Sequence, residues 1–350
     1  MFISERILIM KKQAFNELSP ECKSYRTAIN KCMVTMLFFY GIFTALIEVY
    51  RLVGGLLYSV LPPIPAEIVT DLIYGSVYIT AFVVPVFLFR LIYPKHETFP
   101  LEAEPRLPKG SLRLIIASVG ITFSAALVSG LIMNLIEMIT GHTLEYPETE
   151  MTGAHSVIIS FILTGLIPAF VEELLFRGGF LRNLLPYGKT TAIIVSSLMF
   201  AMMHQNFYQF FYTFIGGMVF AYLFIRTGSI WASVIAHMIN NTLSVLTSDV
   251  ASAFLNENAA LQLQYAVYIG VMLAAFLCFV SLAVEKKKSS SLKKGSVFGS
   301  TEKVYMPSGT VRISDKDAVT HFFTPATVAV IVFAVIEGIS VMIAWSVPRA

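Results

Sequence analysis

Three short segments carry ionisable and amide side chains that an apolar chain has no packing need for. In Val171-Glu172-Glu173-Leu174-Leu175-Phe176-Arg177-Gly178, two adjacent carboxylates interrupt an apolar run. Glu173 and Arg177 are four apart, so on a helix they share a face and can pair. At about 100° per residue Glu172 points elsewhere and is left as the free carboxylate, suited to general-base work. The plainer alternative makes all three residues one structural ion cluster, since such networks also occur without catalysis. Phe200-Ala201-Met202-Met203-His204 ends on the side chain most used for proton transfer near neutral pH, although a single His at a helix end is also an ordinary polar group. In His237-Met238-Ile239-Asn240-Asn241, His237 and Asn241 are four apart and face the same way. Both can donate hydrogen bonds, as an oxyanion site requires, or simply join two helices. Asn240 points to another side and reads as packing glue.

The elements that position these residues must lie in a membrane. Hydrophobic residues make up 56% of the 350-residue chain and charged residues 13%, about half the share usual in a soluble domain. This excludes a disordered chain, a secreted disulfide scaffold and a nucleic-acid binder. Nine apolar stretches approach the roughly 20 residues that cross a bilayer: about 32–50, 67–89, 113–139, 156–176, 190–205, 208–225, 230–247, 263–284 and 322–346. The expected fold class is an all-α, polytopic transmembrane bundle of eight core spans plus an appended C-terminal span. An ionisable group inside a span costs about 2.5–3.5 kcal/mol on insertion scales, so each one there is a functional hypothesis. If the fourth helix continues to about residue 185, the rise per residue lets Glu172, His204, His237 and Asn241 meet in the middle or cytoplasmic half of the bundle. That geometry requires Arg177 to be buried in protein and not to lie at the headgroups.

Of the 25 Lys and Arg residues, 22 fall on one side of these spans, in the N-terminal segment, the second loop, the turns after the fourth and sixth spans, and the stretch after the eighth. The opposite loops carry Glu145, Glu148, Glu150, Asp249 and Glu257. The positive-inside rule then expects a cytoplasmic N-terminus and an outside C-terminus; the expected setting, not read from that rule, is the plasma membrane of a bacterium. The organisation reads as a polar, basic segment over 1–31 without signal-peptide character, a core over 32–284 with the motifs at about 172–241, a Lys/Ser/Gly-rich linker over 285–318, and a last span over 319–350. The basic run 286–288 is expected to stop its helix and touch anionic headgroups. Cys22, Cys32 and Cys278 have neither disulfide-framework nor zinc-knuckle spacing. His96, His142, His155 and His321 fall in loops or at span ends. Glu48 can pair with Arg51, and Glu337 in the last span has no evident partner.

Taken together, EELLFR, FAMMH and HMINN resemble the CPBP family of intramembrane proteases, which includes the type II CAAX prenyl endopeptidase and the bacterial Abi-type proteins. That family's pattern is EExxxR, FxxxH and HxxxN or HxxxD on separate helices, and the resemblance covers roughly residues 110–250. It implies that Glu172 and His204 activate a water, that His237 and Asn241 stabilise a tetrahedral oxyanion, and that Glu173 and Arg177 hold the site together. The substrate would be a peptide or protein, membrane-embedded or lipidated, met among membrane lipids. Glu172, His204 and His237 could instead hold Zn²⁺ with an open water position. The metal-free reading is preferred, because a ligating Glu172 leaves no evident general base. Two other classes remain open: a proton-coupled transporter, against which the lack of an internal repeat counts, and a non-catalytic immunity or scaffold protein.

Overall fold

The computed structural model describes residues 18–92, 107–144, 154–292 and 313–348. Residues 1–17 of the N-terminal segment, His96, the acidic loop at 145–150 and residues 293–312 of the basic linker lie outside them. Helix α1 (Pro20–Val60) starts where Ser19 accepts from the Cys22 N–H and Pro20 takes the first turn. Its 41 residues rise about 60 Å, twice the hydrocarbon thickness, so one end stands well clear of the bilayer. Next come α2 (Pro63–Ile92) and α3 (Ser111–Thr140). Helix α4 begins as Ala154–Ser160 and continues without a break to the 3-10 turn Leu185–Tyr187. The apolar stretch Val157–Tyr187 is thus one span-length helix, as the site geometry requires.

The remaining helices are α5 (Lys189–Met203), α6 (Phe207–Thr227), α7 (Ile230–Val245), α8 (Glu257–Leu292), α9 (Asp315–Phe322) and α10 (Pro325–Trp345). Each of the nine apolar stretches coincides with a helix. Among the described residues, six helices are long and apolar enough to cross a membrane, or seven if the pair Asp315–Phe322 and Pro325–Val341, bent by 69°, forms one broken span. The shortfall from nine is physical. With 15 residues in α5 and 16 in α7, neither reaches the roughly 20 that a full crossing takes. The protein is nonetheless a polytopic helical bundle.

The last helix belongs to that bundle. Helix α10 packs against α1, α5 and α6. Phe333 stacks on Tyr40 with ring centroids 4.7 Å apart, and Gly338 lies against the Phe207 ring. A short antiparallel pairing of His142–Leu144 (β1) with Ser346–Pro348 (β2) ties the end of α3 to the end of α10. At the other end, α8 lines the periphery, with Ile269, Leu273, Phe276 and Val280 exposed as a lipid-facing surface.

Small residues let the helices approach, as is usual where lipid removes the hydrophobic drive between them. Gly120 on α3 faces Ala275 on α8, and Gly217 on α6 faces Ser197 on α5. A Cβ at Gly120 would collide with the Ala275 methyl, whereas one at Gly130 meets nothing within 4 Å. Gly120→Val is therefore expected to overpack the α3–α8 seam by about 1–3 kcal/mol or more. It should lower the melting temperature of the detergent-solubilised protein, while Gly130→Ala leaves it near wild type. Equal melting temperatures would show that this seam does not carry the fold.

Candidate active site

Helix α4 changes pitch around its polar residues. A π-helical stretch, Phe161–Leu166, leads into the α-helical Ile167–Glu173, which gives way to a second π stretch, Leu174–Leu181. Such insertions free backbone carbonyls and re-aim side chains, and they are frequent at functional sites. Pro168 adds to this. It has no N–H, so the Thr164 carbonyl four residues earlier lacks its usual helical donor. Asn241 Nδ2 on α7 donates to that carbonyl at 3.1 Å. Gly165 allows the close approach, since a Cβ there would lie 3.1 Å from Thr242 Oγ1.

Glu172, Glu173, Arg177 and His237 are buried together. Arg177 is 1% exposed, as the meeting of the motifs requires. Its Nη1 lies 2.8 Å from Glu173 Oε1, and its Nη2 donates to the Gly217 carbonyl on α6 at 3.1 Å. The guanidinium also sits 4.5 Å from the Phe200 ring centroid and 5.5 Å from that of Phe220, so its faces meet π-electrons where water is excluded. The absent side chain at Gly217 lets α5 and α6 close up, which brings that carbonyl within reach.

The same Glu173 oxygen lies 3.0 Å from His237 Nδ1. An ionised carboxylate only accepts, so Nδ1 carries the proton and Nε2 of the neutral ring is left with a lone pair. Nε2 is 3.8 Å from Glu172 Oε2. Glu172 Oε1 accepts from the Tyr78 hydroxyl on α2, while Oε2 is buried without a hydrogen-bond partner. Glu172 makes no contact with Arg177 comparable to that of Glu173; the two adjacent carboxylates occupy different environments.

His204 caps the end of α5. Its Nδ1 is 2.9 Å from the Phe200 carbonyl, which again only accepts, so Nε2 is the basic atom here too. The His204 and His237 rings both meet Phe200 edge-on, at 5.1 and 5.8 Å between centroids, and His204 lies within electrostatic reach of Glu172. The next residue, Gln205, has φ 52°, a left-handed turn that folds α5 back onto α6.

Asn241 is half-buried, four residues beyond His237, with one amide N–H on Thr164 and its oxygen accepting from Asn240 Nδ2 at 3.3 Å. Asn240 accepts in turn from Thr122 Oγ1 on α3 at 2.7 Å. A polar relay thus runs from α3 through α7 to α4. The structure brings Glu172, Glu173, Arg177 and His237 into contact, sets His204 across Phe200 from them, and puts Asn241 one turn away. Tyr78 went unread in the sequence. Its only signal was a phenol in mid-span, whose hydroxyl must find a partner when buried.

A helical membrane bundle enclosing two carboxylates, a guanidinium and two imidazoles is the class of site this fold defines. Residues 154–243, which hold all three motifs, match the family described as "Type II CAAX prenyl endopeptidase Rce1-like". The chain is also similar to the Bacillus subtilis (strain 168) protein named "Putative membrane peptidase YdiL", 28% identical over 156 residues that cover 43% of this chain and 63% of that protein. The chain therefore spans less than two thirds of that relative's length. No solved structure matches the chain. The family match covers the stretch that carries EELLFR, FAMMH and HMINN.

Removing one partner of a buried charge pair costs about 3–5 kcal/mol, because the other charge is left uncompensated. Arg177→Ala should accordingly abolish or sharply reduce folded yield, read by size-exclusion chromatography of the solubilised protein. Glu172→Gln, which keeps the Tyr78 hydrogen bond and removes a charge outside that pair, should retain normal yield. The division of labour between the two glutamates fails if Glu172→Gln misfolds and Arg177→Ala does not.

Proposed function

We propose that the protein is an intramembrane endopeptidase in which Glu172, assisted by His204, takes a proton from the attacking water. The observation that carries this reading is the buried, unpartnered Glu172 Oε2, 3.8 Å from His237 Nε2, beside a Glu173 already committed to Arg177 and His237. Glu173 Oε2 is likewise buried without a partner, but Glu173 is held through Oε1 by Arg177 and His237, whereas Glu172 Oε2 faces His237 Nε2, which leaves Glu172 as the carboxylate placed for general-base work. Proton transfer of this kind contributes on the order of 10²–10⁴ in rate. His237 and Asn241 face the oxyanion. Asn241 retains a second amide N–H for it, and His237 can donate from Nε2 only when its ring carries both protons.

The two imidazole tautomers favour one alternative. With both Nδ1 atoms donating to protein oxygens, both Nε2 lone pairs are oriented as metal ligands usually are. Zn²⁺ on Glu172, His204 and His237 would acidify its bound water and polarise the substrate carbonyl. Among the described residues, however, these three donors are not drawn together within 4.8 Å of one another. The metal-free base remains the preferred mechanism.

The substrate is a peptide or protein that enters from the cytoplasmic side or laterally from lipid, and a prenylated C-terminus fits only in a host that prenylates proteins. The N-terminus is cytoplasmic and the C-terminus outside. The β1–β2 pairing supports this in part, by placing the end of α10 beside the end of α3 that leads into the acidic loop.

The test compares peptide termini in native membranes carrying wild type, Glu172→Ala or Tyr78→Phe at matched folded levels. A set of termini should vanish with Glu172→Ala. It should fall roughly tenfold or more with Tyr78→Phe, which removes a hydrogen bond to a charged group. Chelator treatment of wild-type membranes should leave the termini unchanged; their loss would move the assignment to Zn²⁺. Identical termini in all three membranes would refute proteolysis by this site.

A further inference from the structure

We infer that Cys22, Asp317 and His321 form a binding site for a Zn²⁺-class divalent cation, distinct from the protease cluster. One ligand atom of each residue lies within 4.8 Å of the other two, and among the described residues this is the trio of His, Cys, Asp or Glu donors that closes to that distance. The donors come from opposite ends of the chain, Cys22 from the first turn of α1 and the other two from α9. This inference does not depend on the protease reading.

Local structure presents the three groups. Asp317 and His321 are four apart on α9, so they project from one face, the spacing that lets two side chains of one helix grip one ion. Ala318 and Phe322, buried on α9, press it onto α1. Ser314 caps α9 by accepting from the Asp317 N–H at 3.1 Å, and its hydroxyl donates to Asp317 Oδ2 at 2.7 Å. Capping therefore explains one Asp317 oxygen. It does not explain the other two members. Cys22 is buried, and His321 Nδ1 is buried with no hydrogen-bond partner, the orphaned state that buried polar atoms rarely keep.

The donor chemistry selects the ion. One thiolate, one imidazole and one carboxylate suit Zn²⁺, which takes S, N and O together at about 2.0–2.3 Å in a tetrahedron. Ligand atoms in such a tetrahedron stand roughly 3.3–3.8 Å apart by those bond lengths, so closing from 4.8 Å takes about 1 Å of side-chain movement. A fourth position would be left for water or a further side chain. Mg²⁺ and Ca²⁺ are disfavoured by the thiol and imidazole, since both prefer all-oxygen shells. Binding would clip α9, and through it α10, to the start of α1. Residues 22 and 317 are far apart in sequence, and a link that closes so long a loop restricts the unfolded chain most.

Co²⁺ titration of the full-length, chelator-stripped protein in detergent tests this directly. Thiolate coordination gives a near-ultraviolet charge-transfer band, which a site of Glu172, His204 and His237 cannot produce because it has no sulfur. One equivalent should develop the band, and Zn²⁺ should bleach it. Cys22→Ser should abolish it, and His321→Ala should weaken Co²⁺ binding at least tenfold, while Cys278→Ser leaves the band intact. Zn²⁺ should also raise the melting temperature of the wild type but not of Cys22→Ser. Absence of the band in folded wild type would overturn the assignment, as would its persistence in Cys22→Ser; the wild-type result stands even if a variant fails to fold.

Discussion

One carboxylate oxygen organises the centre of this protein. Glu173 Oε1 is shared between the Arg177 guanidinium and His237 Nδ1, at 2.8 and 3.0 Å, in a place where none of the three side chains is more than 5% exposed. Ions taken out of water lose several kcal/mol each even after relaxation, and only close geometry with further hydrogen bonds repays that. In a bilayer no nearby water substitutes for a missing partner. The cluster therefore constrains three helices at once. Arg177 fixes α4 against the Gly217 carbonyl of α6, and Glu173 fixes α4 against α7. A one-residue slip of any of them would strand a charge, so the ion pair acts as a register lock for the helices that carry the site.

That lock also separates two chemically identical neighbours. Glu173 is neutralised and ordered, whereas Glu172 on the next residue turns toward Tyr78 and His237 Nε2. Adjacent residues on a helix differ by about 100°, which is enough to place one carboxylate in an ion cluster and the other beside an imidazole lone pair. The π stretch that follows keeps Leu175 to Leu181 buried and continues the buried run of Val171 to Glu173, so the helix can present polar groups inward over several turns. Asn241 completes the arrangement by satisfying the carbonyl that Pro168 leaves open.

Much of this was legible because its rules act within one helix. The four-residue spacing anticipated contact between Glu173 and Arg177, and the condition that the motifs meet called for a fourth helix running to about residue 185, where α4 runs to Tyr187. What the sequence concealed lies between helices. Tyr78 is 94 residues from Glu172, and a mid-span tyrosine looks the same whether it packs or donates. The His237 tautomer depends on which atom of Glu173 faces it. The nine-span expectation assumed that every apolar stretch crosses fully, but a left-handed turn at Gln205 lets the short α5 double back on α6. Cysteine spacing indicated no metal motif because Cys22 meets Asp317 and His321 only after both chain ends have docked.

The two His-containing clusters illustrate how location dictates chemistry. Inside the bundle, acids must be balanced by groups of the protein itself, so Arg177 and His237 surround Glu173 and the aromatic faces of Phe200 and Phe220 cover what remains. At the end of α1 the helix is long enough to leave the hydrocarbon, and a cation can come from solution. A sulfur, an imidazole and a carboxylate can gather there without a guanidinium between them, because an ion from outside can supply the missing charge. Tyr187 reaches the same region, its hydroxyl 2.6 Å from Ser24 Oγ, so the end of α4 is anchored to the overhanging part of α1. Order imposed on α1 at that end is therefore passed directly to the helix that carries Glu172 and Glu173.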